Sequence, residues 1–239
     1  MGALSDKLRA LEGIVGEEHL LTATEGVGEY RLEGQQPVGV VSPGTPEEVA
    51  AVLRAAAGFS VLLRGAGRHL HLGAPPTAVG LVVSLARLDR IVEYDAENLT
   101  ITAQAGVTLE ALQRAAGERG QMLPLDPPGG DGATLGGVVA ANLAGTLRMR
   151  YGPPRDLTIG LRVALADGSL VKTGGKTVKN VAGYELTKLL SDRTGRWGRS
   201  ARRRCGWLRR RRRGRCWRRR CRRRGRGRWR GSCSRHAST

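Results

Sequence analysis

LPLDPPGGDGATLGGVVAANLAG, residues 123–145, concentrates six glycines and three prolines in one stretch, which we call the Pro-Gly segment. After Thr134 the residues become small and apolar, and this pattern predicts a helix that approaches its neighbours closely. Gly136 and Gly137 stand at the start of that helix. We therefore predict that its first N–H groups are open to an anionic or carbonyl ligand.

A second glycine cluster, RGAGRHLHLG at residues 64–73, follows a strand pattern and is called the Arg-Gly loop. Gly65 and Gly67 flank Ala66, so consecutive backbone N–H groups can converge on an anion. Arg64 adds a fixed positive charge. Taken singly, this pattern also fits an ordinary tight turn. Two such stretches in one chain favour a large ligand with several acceptor groups, a dinucleotide rather than a metal ion or a small acid.

The positive charge of the chain is concentrated at its C-terminal end. The 239 residues carry 40 Lys and Arg against 21 Asp and Glu, a formal net charge of +19. Residues 193–239 contain 22 Arg and no acidic residue, which leaves 18 basic and 21 acidic groups in residues 1–192, a net charge of −3. All four Cys and all four Trp also lie in this tail. The body is expected to be one mildly acidic globular domain joined to a tail of different composition.

The body contains no Cys, which fits a reducing compartment. The N-terminal residues predict an amphipathic helix with Leu4, Leu8 and Leu11 on one face, a pattern unlike that of a secretory leader. No apolar run approaches the roughly 20 residues that a membrane span needs. We therefore predict a cytoplasmic location.

Alternating strand and helix patterns predict an α+β fold with mixed sheets. Thr45 as N-cap, Pro46 at the first helical position and Glu48 three residues after the cap form a capping box, which predicts a helix that ends at Gly58. Residues 108–119 predict another helix. Strands are predicted at 60–65 and 79–85, as a pair around a turn at 96–98, and as a hairpin around a turn at 166–168.

From about residue 38 to 190 the chain resembles the FAD-binding domain of the vanillyl-alcohol-oxidase/PCMH flavoprotein superfamily, and most closely its glycolate oxidase group. The motifs that carry the resemblance are SPGTPEEVAAVL, RGAGRHLHLG, LPLDPPGGDGATLGGVVAANLAGTLRMRYGPPRDLTIGLRVALADG and GGKTVKNVAGYELTKLL. The resemblance implies a PCMH-type domain of two α+β lobes with flanking helices and with FAD extended between the lobes. It divides the chain into a lead-in (1–37), the FAD-binding domain (38–191) and a disordered Arg-rich tail (192–239).

The same resemblance implies which residues bind the cofactor. They are Arg64, Gly65, Ala66, Gly67, Arg68, His69, Pro128, Gly129, Thr134, Gly136 and Gly137. Some members of the superfamily attach FAD covalently through a His after the loop glycines, but Arg68 holds that position here, so noncovalent binding is expected. His69 and His71 are candidate bases, although a structural or solvent-facing role is the preferred interpretation. No catalytic residue is assigned.

Other polar residues are given more ordinary roles. Asp126 and Asp131 are expected to accept backbone N–H groups in a glycine-rich turn rather than to bind a metal. The tail cysteines lack the paired spacing of zinc ligands. The resemblance places Asn180, Gly183 and Tyr184 near the flavin.

In function, the resemblance implies the FAD-binding subunit of a 2-hydroxy-acid (glycolate) oxidase or dehydrogenase. The flavin would accept a hydride from the substrate α-carbon and pass electrons to a partner flavin subunit and an iron–sulfur subunit. The chain would be truncated beyond about Leu190 and inactive by itself. The alternatives are another FAD-linked oxidase, or a basic nucleic-acid-binding protein that acts through its Arg-rich tail.

Two interpretations of the tail remain open. As an arginine-rich arm it would bind polyanions without sequence specificity. As a frameshift product it would be the reading of GC-rich codons out of register. Related proteins continue after the last motif with Gly-Ser-x-Gly-x-Leu-Gly-x-Ile, and one permitted spelling of residues 191–200 yields Gly-Ser-Asp-Gly-Ala-Leu-Gly-Ala-Ile in a frame that starts two bases later. The second interpretation is favoured.

Overall fold

The fold consists of two α+β lobes, each organised around a sheet. The computed structural model describes residues 2–22, 26–72, 76, 78–130, 132–175, 186–191, 199–206 and 208–209. Within them, the first lobe comprises α1 (Gly2–Val15), β1 (Leu20–Thr22), β2 (Gly39–Val41), α2 (Pro46–Ala55), β3 (Val61–Arg64), β4 (Leu81–Ser84) and 3-10 turns at Glu17–His19 and Val27–Tyr30. The second lobe comprises β5 (Ile91–Asp95), β6 (Thr100–Gln104), α3 (Leu109–Gly117), β7 (Gln121–Met122), α4 (Leu135–Ala141), α5 (Arg148–Tyr151), α6 (Pro154–Leu157), β8 (Thr158–Ala164), β9 (Leu170–Gly174), α7 (Leu186–Leu190), β10 (Arg199–Gly206) and β11 (Leu208–Arg209). The α+β architecture expected from the sequence is confirmed.

The first sheet has the order β1-β2-β4-β3. β2, β4 and β3 are parallel, with α2 as the connection from β2 to β3, and β1 is antiparallel to β2. β2 and β4 are buried throughout, as the apolar runs in their sequences predict for parallel strands. β3 lies at the edge of the sheet and is only half-buried. Because β1 belongs to the lead-in, the lead-in and the first lobe share one sheet.

The start of α2 has the predicted capping box. The Thr45 hydroxyl accepts a hydrogen bond from the Glu48 N–H at 3.1 Å, and Glu48 accepts one from the Gly44 N–H at 2.8 Å. Pro46 occupies the first helical position. These contacts satisfy N–H groups that a helix start otherwise leaves without partners, so this local prediction is confirmed.

The N-terminal helix α1 packs on the first lobe. Leu11 and Val15 are buried in the core beside α2, and Leu8 is packed at its edge. Leu4 is 42% exposed, so the predicted apolar face is buried only toward its C-terminal end. Lys7 secures the helix by donating a hydrogen bond to the Ala57 carbonyl at 2.8 Å.

Both hairpins predicted for the second lobe are present. β5 pairs with β6 around residues 96–99, and β8 pairs with β9 around residues 165–169. Gly168 has a φ of +80°, as the Asp-Gly turn requires. Asp167 accepts hydrogen bonds from the N–H and hydroxyl of Ser169, and these bonds lower the pKa of its carboxyl group.

β10 lies at the centre of the second sheet, which has the order β5-β6-β10-β8-β9. The sequence analysis predicted disorder for the tail, to which β10 and β11 belong. Residues 199–206 instead pair with β6 and β8, and β11 pairs with β7, so the prediction of disorder does not hold for these two strands. Extended backbone can satisfy its hydrogen bonds on neighbouring strands whatever its side chains are. The other tail residues, together with Asp131, Asn180, Gly183 and Tyr184, lie outside the described residues.

None of the helices in the described ranges combines the length and the apolar character that a membrane-spanning helix requires.

Candidate cofactor site

The Arg-Gly loop and the Pro-Gly segment come from different lobes and meet. The Nε2 atom of His69 lies 2.6 Å from the carbonyl oxygen of Pro128. Gly65 packs against Thr134 so tightly that a Cβ on Gly65 would overlap the Thr134 hydroxyl. The two stretches that the sequence singles out are thus adjacent, and the missing side chain of Gly65 allows them to touch.

The Arg-Gly loop offers backbone donors to a ligand. The N–H groups of Ala66, Gly67 and Arg68 make no hydrogen bond with any residue that the structure describes. Gly67 has a φ of +74°, a conformation that side chains with a Cβ rarely adopt. The Arg68 guanidinium lies beside Gly132 of the other lobe and, in the described part of the chain, has no ion-pair partner. Unpaired N–H groups and an unpaired cation in the same loop favour an anion.

Arg64 was predicted to bind the cofactor, and in the structure its side chain contacts Tyr30 and Glu29. Its guanidinium stacks on the Tyr30 ring at 4.3 Å and donates a hydrogen bond to the Glu29 carbonyl at 3.0 Å. The side chain also covers Gly67, where an added Cβ would lie 2.8 Å from Nε. The positive charge therefore stays beside the loop, while the hydrogen bond of Arg64 links the Arg-Gly loop to the 3-10 turn at Val27–Tyr30 within the first lobe.

His69 connects the two lobes. A carbonyl oxygen only accepts hydrogen bonds, so Nε2 of His69 must carry the hydrogen that it donates to Pro128. His71 is exposed, and the centroids of the two imidazole rings lie 6.4 Å apart. This arrangement supports the structural interpretation of His69 over that of a catalytic base.

The start of α4 contradicts one sequence prediction. The N–H of Gly136 donates to the Ala105 carbonyl at 2.7 Å, and the N–H of Gly137 donates to the Thr134 hydroxyl at 3.3 Å. The N–H of Leu135 donates to Val107. The prediction that these groups are open to a ligand is therefore wrong, because an N-cap and two carbonyls near the end of β6 already satisfy them.

The Gly136 position serves close packing instead. A Cβ on Gly136 would lie 2.6 Å from the Ala105 carbonyl oxygen, well inside contact distance. Glycine lets the helix start approach the end of β6, which is consistent with the expected close approach of a helix made of small residues.

Asp126 organises the backbone that follows α4. Its carboxylate accepts hydrogen bonds from the Gly145 N–H at 3.1 Å, the Thr146 hydroxyl at 3.1 Å and the Leu147 N–H at 2.9 Å. Asp126 is thus an acceptor for backbone N–H groups, as predicted, but these groups follow α4 and do not belong to its own glycine-rich turn. In the described part of the chain, no group of three His, Cys, Asp or Glu side chains is arranged to hold a metal ion.

We expect Asp126→Asn to lower the free energy of unfolding by about 1–3 kcal/mol, because the amide replaces one acceptor oxygen with a donor that faces another donor. Urea denaturation of the full chain measures this change. Asp156→Asn is the matched control, since Asp156 makes only a loose surface ion pair with Arg155 at 3.8 Å. Equal effects of the two substitutions would contradict the role given to Asp126.

Comparison with known proteins identifies relatives of this fold. A family model described as "FAD binding domain" matches residues 37–174. The chain is 38% identical over 164 residues to the glycolate oxidase subunit GlcD of Bacillus subtilis and 41% identical over 153 residues to a D-lactate dehydrogenase of Archaeoglobus fulgidus. It is 40% identical over 131 residues to the glycolate oxidase subunit GlcE of Escherichia coli.

These alignments cover 68%, 63% and 54% of this chain but only 35%, 34% and 37% of the relatives. The chain thus spans about a third of the length of the curated relatives it matches. Among solved structures, 4-ethylphenol oxidase from Gulosibacter chungangensis superposes with a TM-score of 0.73 at 20% identity, covering 86% of this chain and 43% of the other. p-Cresol methylhydroxylase superposes with a TM-score of 0.72 at 17% identity, covering 87% and 44%. At these identities the structural matches establish the fold.

Proposed function

The chain belongs to the FAD-binding domain family, and we propose that it is the FAD-binding part of an enzyme that oxidises a 2-hydroxy acid such as glycolate or D-lactate. FAD is the cofactor. The observation that carries the proposal is the meeting of the Arg-Gly loop with the Pro-Gly segment at the junction of the lobes.

The residues at this junction fit the pyrophosphate of FAD. The doubly charged pyrophosphate needs several donors and a cation, and the loop supplies the N–H groups of Ala66, Gly67 and Arg68 together with the Arg68 guanidinium. Glycine at position 67 adopts the positive φ of the loop without strain and leaves room for the Arg64 side chain beside it.

The other lobe would complete the site through Pro128, Gly129 and Thr134. His69 fixes the position of Pro128, and Gly65 permits the contact with Thr134. Gly136 would contribute indirectly, by letting α4 approach and thereby positioning Thr134, and Gly137 would contribute through its N–H, which donates a hydrogen bond to the Thr134 hydroxyl. Arg64 would hold the lead-in against the loop and add positive charge there.

The chemistry that bound FAD supplies is acceptance of a hydride from the α-carbon of the substrate. The protein residues described here bind and orient the cofactor, and we assign no acid or base among them. The names of two relatives, glycolate oxidase subunits GlcD and GlcE, support a multi-subunit enzyme. We propose that electrons leave through a partner flavin subunit and an iron–sulfur subunit.

We expect the purified chain to bind FAD in a titration followed by flavin fluorescence, and to release all of it on denaturation. Covalent attachment is not expected, because Arg68 holds the position of the linking His and Nε2 of His69 is engaged with Pro128. Ultrafiltration after denaturation measures the released flavin. Flavin fluorescence that remains on the denatured chain would contradict noncovalent binding, and absence of any binding would contradict the proposed function.

A further inference from the structure

Two strands and two helices surround β10, the central strand of the second sheet. β10 pairs with β6 on one edge and with β8 on the other. α4 contacts β6 and β10, and α2 contacts β8 and β10. Ala103 of β6 belongs to the same apolar cluster as Val138 of α4, whereas Arg162 of β8 pairs with Glu47 of α2 at 2.6 Å. The two helices therefore cover opposite faces of the sheet.

The pairing register places arginines of β10 opposite buried residues of β6 and β8. Arg203 stands opposite Ala103 and Leu161, which are 0% and 3% exposed. Arg202 stands opposite Arg162, so the register sets two arginines at directly opposed positions. Strands covered on both faces are normally apolar, because burial of an unpaired charge is costly. The composition of β10 thus conflicts with its place in the sheet.

The genetic code restricts what the same codons encode in another frame. Trp has only the codon TGG, and both Cys codons begin with TG. A reading that begins at the third base of each codon therefore encodes Leu, Val or Met at the junctions 196/197, 204/205 and 206/207. The junction 205/206 encodes Trp or Arg. The last three shifted residues alternate apolar, other and apolar, which is the pattern of a half-buried or buried strand.

We propose that the position between β6 and β8 accepts an apolar β-strand, and that the codons of residues 196–207 encode this strand in the shifted frame. The register of β10 and the genetic code support this strand position independently of FAD binding. The occupant is a segment with the length of β10 and with apolar residues at alternate positions.

The nucleotide sequence of codons 191–209 gives the first test. We expect the shifted frame to stay open through this stretch. At the junction 199/200 the code allows either Phe, Leu, Ile or Val, or Lys, Gln, Glu or a stop, depending on which Ser codon is used. An apolar residue at that junction supports the proposal, because the register shift between Ser200 and Arg202 places position 200 on the same face of the sheet as position 205. Lys, Gln, Glu or a stop contradicts it.

The protein gives a second test that needs no cofactor. In the full chain without FAD, we expect Arg203→Leu to raise the midpoint of thermal unfolding by about 3–8 °C, because it removes a charge from a position between buried neighbours. Replacement of residues 199–206 by the shifted-frame strand should raise it further. Arg155→Leu is the control at a partly exposed helical position and should leave the midpoint unchanged.

A second control tests the alternation itself. The replacement strand with its order displaced by one residue has the same composition but presents its apolar residues to the other face. A midpoint equal to that of the correctly ordered strand, or no increase with Arg203→Leu, would overturn the proposal. Because all of these measurements exclude FAD, their failure would leave the proposed cofactor site untouched.

Discussion

Gly67→Glu is expected to weaken FAD binding by about 100-fold or more. An added Cβ at this position would lie 2.8 Å from Nε of Arg64, so the new carboxylate would pair with Arg64 and place a negative charge beside the open N–H groups of the loop. Two like charges about 4 Å apart near a protein surface repel by roughly 4 kcal/mol. The new carboxylate would thus neutralise the positive charge of Arg64 and also repel the pyrophosphate.

Two control substitutions separate charge from backbone strain. Gly120 also has a positive φ, +65°, and nothing lies within 4 Å of an added Cβ there. Gly120→Glu therefore introduces the same side chain and a similar strain, and we expect it to keep the affinity for FAD. Gly67→Gln introduces the bulk without the charge, and we expect an intermediate loss.

Flavin fluorescence measures the affinity of each variant, and circular dichroism verifies that each one folds. If the Arg-Gly loop binds the pyrophosphate, the dissociation constant for FAD should rise from the wild type to the Gln variant and again to the Glu variant at position 67. Wild-type affinity of the Glu variant, or an equal loss with Gly120→Glu, would remove the charge argument and with it the proposed position of the pyrophosphate.

Features that depend on neighbouring residues in the chain were predictable from the sequence. The capping box at Thr45 and Glu48 and the Asp-Gly turn at Gly168 are set by bonds that span a few residues. The preference of Asp126 for backbone N–H donors was also predictable from its residue type, although its partners lie about 20 residues away. Local chemistry limits these positions to few conformations.

Contacts between distant parts of the chain were not predictable. The hydrogen bond from His69 to Pro128 joins residues 59 positions apart, and the stacking of Arg64 on Tyr30 joins two elements of the first lobe. The local sequence around His69 or Arg64 does not indicate which distant residue each one contacts. Only the resemblance to a known family indicated that the two glycine stretches face each other, because hydrophobic periodicity does not specify how lobes meet.

The role of Gly136 illustrates the same limit. Glycine at a helix start is compatible with a ligand that uses the N–H and with a close approach of another backbone. The sequence of α4 does not distinguish them, since the partner of that N–H is the Ala105 carbonyl, which lies 31 positions earlier. The contact with Ala105 shows that Gly136 serves close packing. Substitutions of Gly136 and of the adjacent Gly137 should therefore change the free energy of unfolding differently.

Gly136→Ala is expected to lower the free energy of unfolding by about 2–4 kcal/mol, whereas Gly137→Ala should leave it unchanged or raise it by up to about 1 kcal/mol. A methyl group on Gly136 would lie 2.6 Å from the Ala105 oxygen and would push the helix start away from β6, breaking the 2.7 Å hydrogen bond between them. A methyl group on Gly137 meets only the Thr134 hydroxyl at 3.3 Å. At that position the gain in helix propensity from Gly to Ala is the larger effect.

Urea denaturation of the full chain without FAD compares the two variants directly, since they differ by one position in the same helix and add the same methyl group. Helix propensity would stabilise both, and loss of an open N–H site would affect neither in the absence of ligand. Only close packing at residue 136 predicts opposite signs. Similar free energies of unfolding for the two variants would mean that α4 can move away from β6 at little cost, and the position of Thr134 opposite Gly65 would then require another explanation.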